Sequence, residues 1–97
     1  MKFGDLARHV FFVETGEPLP KRANGRTPFI GEANGAAYYL LWNGEGAESV
    51  LSSATLKQFK AHDGPKVVYA DGCRLSPAQL QARGVVFKQI PYEIKAG

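Results

Sequence analysis

The sequence contains one cysteine, Cys73, so no internal disulfide can staple it, and a reducing cytoplasm is the simplest expectation. Long apolar runs are missing as well. The longest, Ala36 to Trp42, stops after seven residues, against the ~20 that a membrane-spanning helix needs. Asp5, Arg8 and His9 interrupt the N-terminus and spoil a signal-peptide core. Histidine is scarce: His9 and His62 stand far apart, with no Cys or second His at ligand spacing. No metal and no cofactor are therefore expected. The chain has no Gly-x-x-x-x-Gly-Lys-Ser/Thr, which removes a P-loop. The glycines of Phe29 to Gly35 precede a strand where a cofactor loop precedes a helix. Repeats and low-complexity tracts are absent too.

What is present is ordinary globular composition. The 97 residues are 44% hydrophobic and 22% charged, enough for one α/β domain over residues 1–97 and too few for two. The formal net charge is +3, from 12 Lys and Arg against 9 Asp and Glu. The cations run from Lys2 to Lys95 without concentrating on one helix, so an anionic partner is compatible with the charge but not demanded by it. One cluster stands out: Lys21, Arg22 and Arg26, with no acid between Pro18 and Ile30.

Helical spacing opens the chain, with Leu6, Val10 and Val13 on one face from Asp5 to roughly Val13. Gly16 suits the stop. Val10-Phe11-Phe12-Val13 fits a buried strand equally well. Pro18, Pro20 and Pro28 make the next stretch loop or sheet edge, with a tight turn at Asn24-Gly25. Asn34-Gly35 lies between Phe29-Ile30-Gly31 and the apolar run from Ala36, which predicts a hairpin whose first strand spans Pro28 to Gly31. Ser52 or Ser53 caps an expected helix to about His62, with Leu56 and Phe59 inward. Lys66 to Ala70 reads as a strand. Ser76, Pro77 and Gln79 spell a capped helix start, and Gly84 a left-handed helix stop. Val85 to Ile90 is the last strand. The expected fold is thus a small mixed sheet: a β-hairpin plus a β-α-β-α-β unit, three strands parallel, both helices on one face and the N-terminal helix on the other.

In such sheets ligands gather beyond the carboxyl ends of the strands. Asn43-Gly44-Glu45-Gly46 and Asp71-Gly72-Cys73-Arg74 fall there, and Arg74 beside a helix start suits a phosphate. The turn carrying Lys21, Arg22 and Arg26 is the better candidate for tracking phosphates. Tyr38, Tyr39, Trp42, Tyr69 and Phe87 read as core rather than as a stacking platform. A second function class is a small metal-dependent nuclease or hydrolase in which Asp71, Glu93 and Lys95 converge. A third is a homo-oligomeric structural module of a mobile-element protein, joined through exposed aromatics.

Two segments carry a resemblance: Lys66-Val67-Val68-Tyr69-Ala70-Asp71-Gly72-Cys73-Arg74-Leu75-Ser76 and Phe87-Lys88-Gln89-Ile90-Pro91-Tyr92-Glu93-Ile94-Lys95. Together they resemble the C-terminal segment of site-specific adenine DNA methyltransferases of the type III restriction–modification kind. Ala7 to Phe12, Glu14 to Glu17 and Phe29 to Glu32 are similar to the segment that precedes it there. The chain lacks Asp-Pro-Pro-Tyr or Asn-Pro-Pro-Tyr for methylating adenine, and Phe-x-Gly-x-Gly for S-adenosylmethionine. The resemblance therefore implies a non-catalytic accessory module. Its partners would be DNA phosphates or a larger methyltransferase or restriction subunit. Lys21, Arg22, Arg26, Arg74 and Lys88 are the residues expected to meet an anionic partner.

Overall fold

The structure, a computed structural model, describes residues 3–19, 28–42, 49–57, 59 and 64–90. The N-terminal segment is helical: α1 spans Phe3–Thr15 and buries Leu6, Ala7, Val10 and Phe11. The strand alternative for Val10 to Val13 is thereby excluded. The helix outruns the expected boundaries at both ends. Its last turn is held by Thr15 Oγ1 donating to the Phe11 carbonyl at 2.7 Å and by Gly16 N donating to that of Phe12 at 2.7 Å.

The hairpin forms where Asn-Gly placed it. Strand β1 (Phe29–Ala33) runs antiparallel to β2 (Ala36–Leu40). Asn34 and Gly35 join them with φ of +52° and +81°. Two positive φ values in a two-residue loop make a type I′ turn, whose twist matches the flanking strands.

Strands β2, β4 (Lys66–Ala70) and β6 (Val85–Gln89) are parallel, and the sheet order is β1-β2-β4-β6. Between β2 and β4 the chain forms β3 (Val50–Leu51) and helix α2 (Ser53–Leu56), whose N-cap is Ser52. This helix is shorter than its expected reach to His62. Lys57 closes it, and Phe59 N donates to the Leu56 carbonyl at 3.1 Å in a tighter i→i+3 bond. The Phe59 ring then stacks on Tyr39 at 4.2 Å between centroids. Strand β5 (Gly72–Cys73) pairs in parallel with β3 as a second, two-stranded sheet that no sequence pattern announced. Helix α3 (Pro77–Ala82) carries the expected capping box: Ser76 Oγ accepts from Gln79 N, and the Gln79 side chain accepts from Ser76 N at 2.9 Å. Gly84 closes it at φ +66°.

Strand alternation assigns the core to two layers. Against α1 lie Ile30, Ala33, Ala36, Tyr38, Leu40, Val67, Tyr69 and Ile90. On the opposite face Ala37, Tyr39, Leu51, Val68, Ala70 and Val85 are buried under Leu56, Phe59, Leu75, Leu80 and Phe87. Each large apolar side chain removed from water contributes about 1.5–3 kcal/mol, so both faces of the sheet depend on their helices. Tyr38, Tyr39 and Tyr69 are core residues, as the sequence suggested, and Trp42 and Phe87 pack against the core half-buried. Among the described residues no helix is long and apolar enough to cross a membrane.

Candidate functional site

The carboxyl ends of β2, β4 and β6 were the expected ligand position, and two polar clusters lie there. The first ties Asp71, just past β4, to Ser49, just before β3. Asp71 Oδ2 accepts from Ser49 N at 2.9 Å and from Ser49 Oγ at 3.2 Å. In return the Ser49 carbonyl accepts from Asp71 N and Gly72 N, each at 3.0 Å. Ser49 is buried at 2% exposure. A carboxylate accepting two donors is suited to holding a buried loop in place. The bonds also align Val50–Leu51 with Gly72–Cys73, so the middle of the segment Asp71 to Arg74, expected as a ligand loop, is a paired strand instead. Cys73, half-buried, donates through Sγ to the Leu75 carbonyl at 3.6 Å.

The second cluster faces α1. Tyr69 Oη donates to Glu14 Oε2 at 2.9 Å, and Lys88 Nζ lies 3.8 Å from Glu14 Oε1. One carboxylate thus binds the end of α1 to two neighbouring strands. Burial, then the hydrogen bond to Glu14, push the Tyr69 phenol far above its ordinary value. Burial and the charges of Glu14 and Glu17 raise Tyr38 as well. Both phenols stay neutral at any physiological pH. A neutral tyrosine satisfied by a carboxylate is a structural strut, and it is poorly disposed to act as a base.

The expected site residues separate. Lys88 is held by Glu14 on the α1 side, whereas Arg74 is exposed and leads into α3 on the other side. Lys21, Arg22 and Arg26, the turn at Asn24-Gly25 and the loop Asn43 to Gly46 lie outside the described residues. So do Glu93 and Lys95, the proposed companions of Asp71, and His62. Among the described residues no cluster of His, Cys, Asp or Glu could hold a metal ion.

What single residues did not reveal is a division of charge between faces. Lys66 sits opposite Val85 on the α2–α3 side of the sheet. Lys57 closes α2, and exposed Arg74 and Arg83 bracket α3. Among the described residues, no ion pair ties down Lys57, Arg74 or Arg83. Among the described residues the acids on this side are Glu32, on the far edge strand β1, and Asp71, already engaged by Ser49. The α1 side carries Asp5, Glu14 and Glu17, against Arg8, paired with Asp5, and Lys88, beside Glu14. A count along the chain carries only part of this signal: residues 49–90 hold Lys57, Lys60, Lys66, Arg74, Arg83 and Lys88 against Asp63 and Asp71, but Lys88 faces α1. Comparison with family models, curated proteins and solved structures finds no match to this chain.

Proposed function

We propose that the chain is a non-catalytic accessory module of DNA modification, similar to the C-terminal domain of type III adenine methyltransferases. It would work beside a larger methyltransferase or restriction subunit and contact DNA phosphates with the face that carries α2 and α3. The observation that carries this reading is the charge division. Exposed Lys57, Arg74 and Arg83 share a face of the sheet that is, among the described residues, poor in free acids, while Asp71 is spent on Ser49. Cations free of acidic partners release phosphate counterions on binding, which is the sequence-independent source of DNA affinity. Lys21, Arg22 and Arg26, in a stretch of sequence without acids, would add to this contact. Lys88 contributes less than the sequence suggested, because Glu14 already holds its ammonium.

Fluorescence anisotropy with duplex DNA over about 50–200 mM salt tests this. The double variant Arg74→Glu/Arg83→Glu is expected to reduce the slope of log affinity against log salt by about 2, one contact per cation. The triple variant Lys21→Glu/Arg22→Glu/Arg26→Glu should lower it further. Affinity without salt dependence, or unchanged in both variants, overturns the proposal.

A further inference from the structure

The main sheet ends at β6, and the backbone there is arranged for one particular neighbour. Ile90 N donates to the Ala70 carbonyl at 3.0 Å, and Lys66 N donates to that of Gly84 at 2.9 Å. In a parallel ladder alternate residues face the partner, so Val86 and Lys88 point their backbone groups at β4. Val85, Phe87 and Gln89 then aim their N–H and C=O groups outward. Among the described residues nothing pairs with that edge. Val86 is 44% exposed, although its partner Val67 in β4 is 7% exposed. Exposed edges carrying apolar side chains invite strand pairing, and natural proteins usually block them with lysine. The lysine here is Lys88, but its charge is turned toward Glu14 on α1.

We propose that the β6 edge is a two-fold interface through which a second copy of this chain pairs antiparallel. The outward groups are symmetric about Phe87. Centring the two-fold there sets Phe87 against Phe87 of the second copy and Val85 against its Gln89, and every outward N–H meets an outward carbonyl. Both rings stand on the α2–α3 side, in the geometry of a favourable aromatic cross-strand pair. On the α1 side Val86 faces the stem of the second copy's Lys88, whose ammonium Glu14 neutralises. The two lysines are diagonal to one another, so no like charges stand directly opposite. A strand of a different protein would match the backbone groups alone. This inference goes beyond the DNA reading and is independent of it.

Sedimentation of the full chain without DNA tests it. A reversible dimer of about twice the 10.6 kDa chain mass is expected. Val86→Lys sets like charges opposite one another at two places and should weaken the dimer about tenfold or more. Val86→Glu faces a lysine instead and should retain it. Gln89→Pro removes only an outward donor and should also weaken it, with the β4 ladder intact. Circular dichroism confirms that each variant is folded. A strict monomer overturns the interface, and so does a dimer that ignores Val86→Lys and Gln89→Pro.

Discussion

At the scale of single residues, the polar side chains of this chain are mostly committed to holding the backbone. Asp71 is the clearest case. Removing a charged acceptor from a half-buried pair costs about 1.5–3 kcal/mol, so Asp71→Ala is expected to lower the urea midpoint accordingly, with Ser49 left short of its partner. The tyrosines make a second prediction. Burial raises Tyr38, Tyr39 and Tyr69 above the ordinary phenol value of 10.0. The unfolded chain therefore releases these protons at a pH where the folded chain retains them. Stability is fully present below pH 10 and falls as pH rises beyond it. Urea unfolding at several alkaline pH values checks the sign, and Tyr69→Phe should make the fall shallower. Neither pairing was visible in the sequence. Tyr69 and Glu14 are 55 positions apart, and Ser49 and Asp71 are 22 apart. Nothing local marks such partners.

At the scale of elements, legibility follows the range of the interaction that specifies each one. The hairpin and α3 are written in adjacent residues, and both were read correctly. Gly35 lies at φ +81° with open space around it. Gly35→Val thus meets backbone strain alone, and thermal unfolding should show a loss of about 1–2 kcal/mol. Ser76→Ala removes the cap of a helix only six residues long. A loss of about 1 kcal/mol is expected, felt through Leu80, which packs on the second core layer. Strands β3 and β5 escaped notice because two residues each show no periodicity. Their pairing depends on the Ser49–Asp71 lock, a contact between loops. The candidate basic face was half legible. Arg74 was singled out, and the helices were expected on one face. That Lys57 and Arg83 stand exposed there, without an ion pair among the described residues, shows only in the folded chain.

At the scale of the whole molecule, the two core layers share one sheet. Val67 and Tyr69 point to α1 while Val68 and Ala70 point the other way. Damage to either layer is therefore expected to loosen both. Leu6→Ala and Leu51→Ala, each at a side chain with 0% exposure, should cost about 2–5 kcal/mol apiece. Trp42 fluorescence and far-ultraviolet circular dichroism should report the same midpoint in each variant, although Trp42 touches only the α1 layer. The strand order β1-β2-β4-β6 has a further consequence, for the way the chain is made. Each strand of the main sheet is laid beside the one synthesised before it, so no pairing must wait for a segment far downstream. The parallel pairs still close long loops, Ala37 onto Lys66 and Lys66 onto Val85, so these pairings are expected to form more slowly than the hairpin. The strand order lets the sheet grow outward from the hairpin as the chain leaves the ribosome. The last strand of this sheet to emerge is β6, and until it docks, the growing edge of the nascent chain is β4, four of whose five residues are buried in the finished protein.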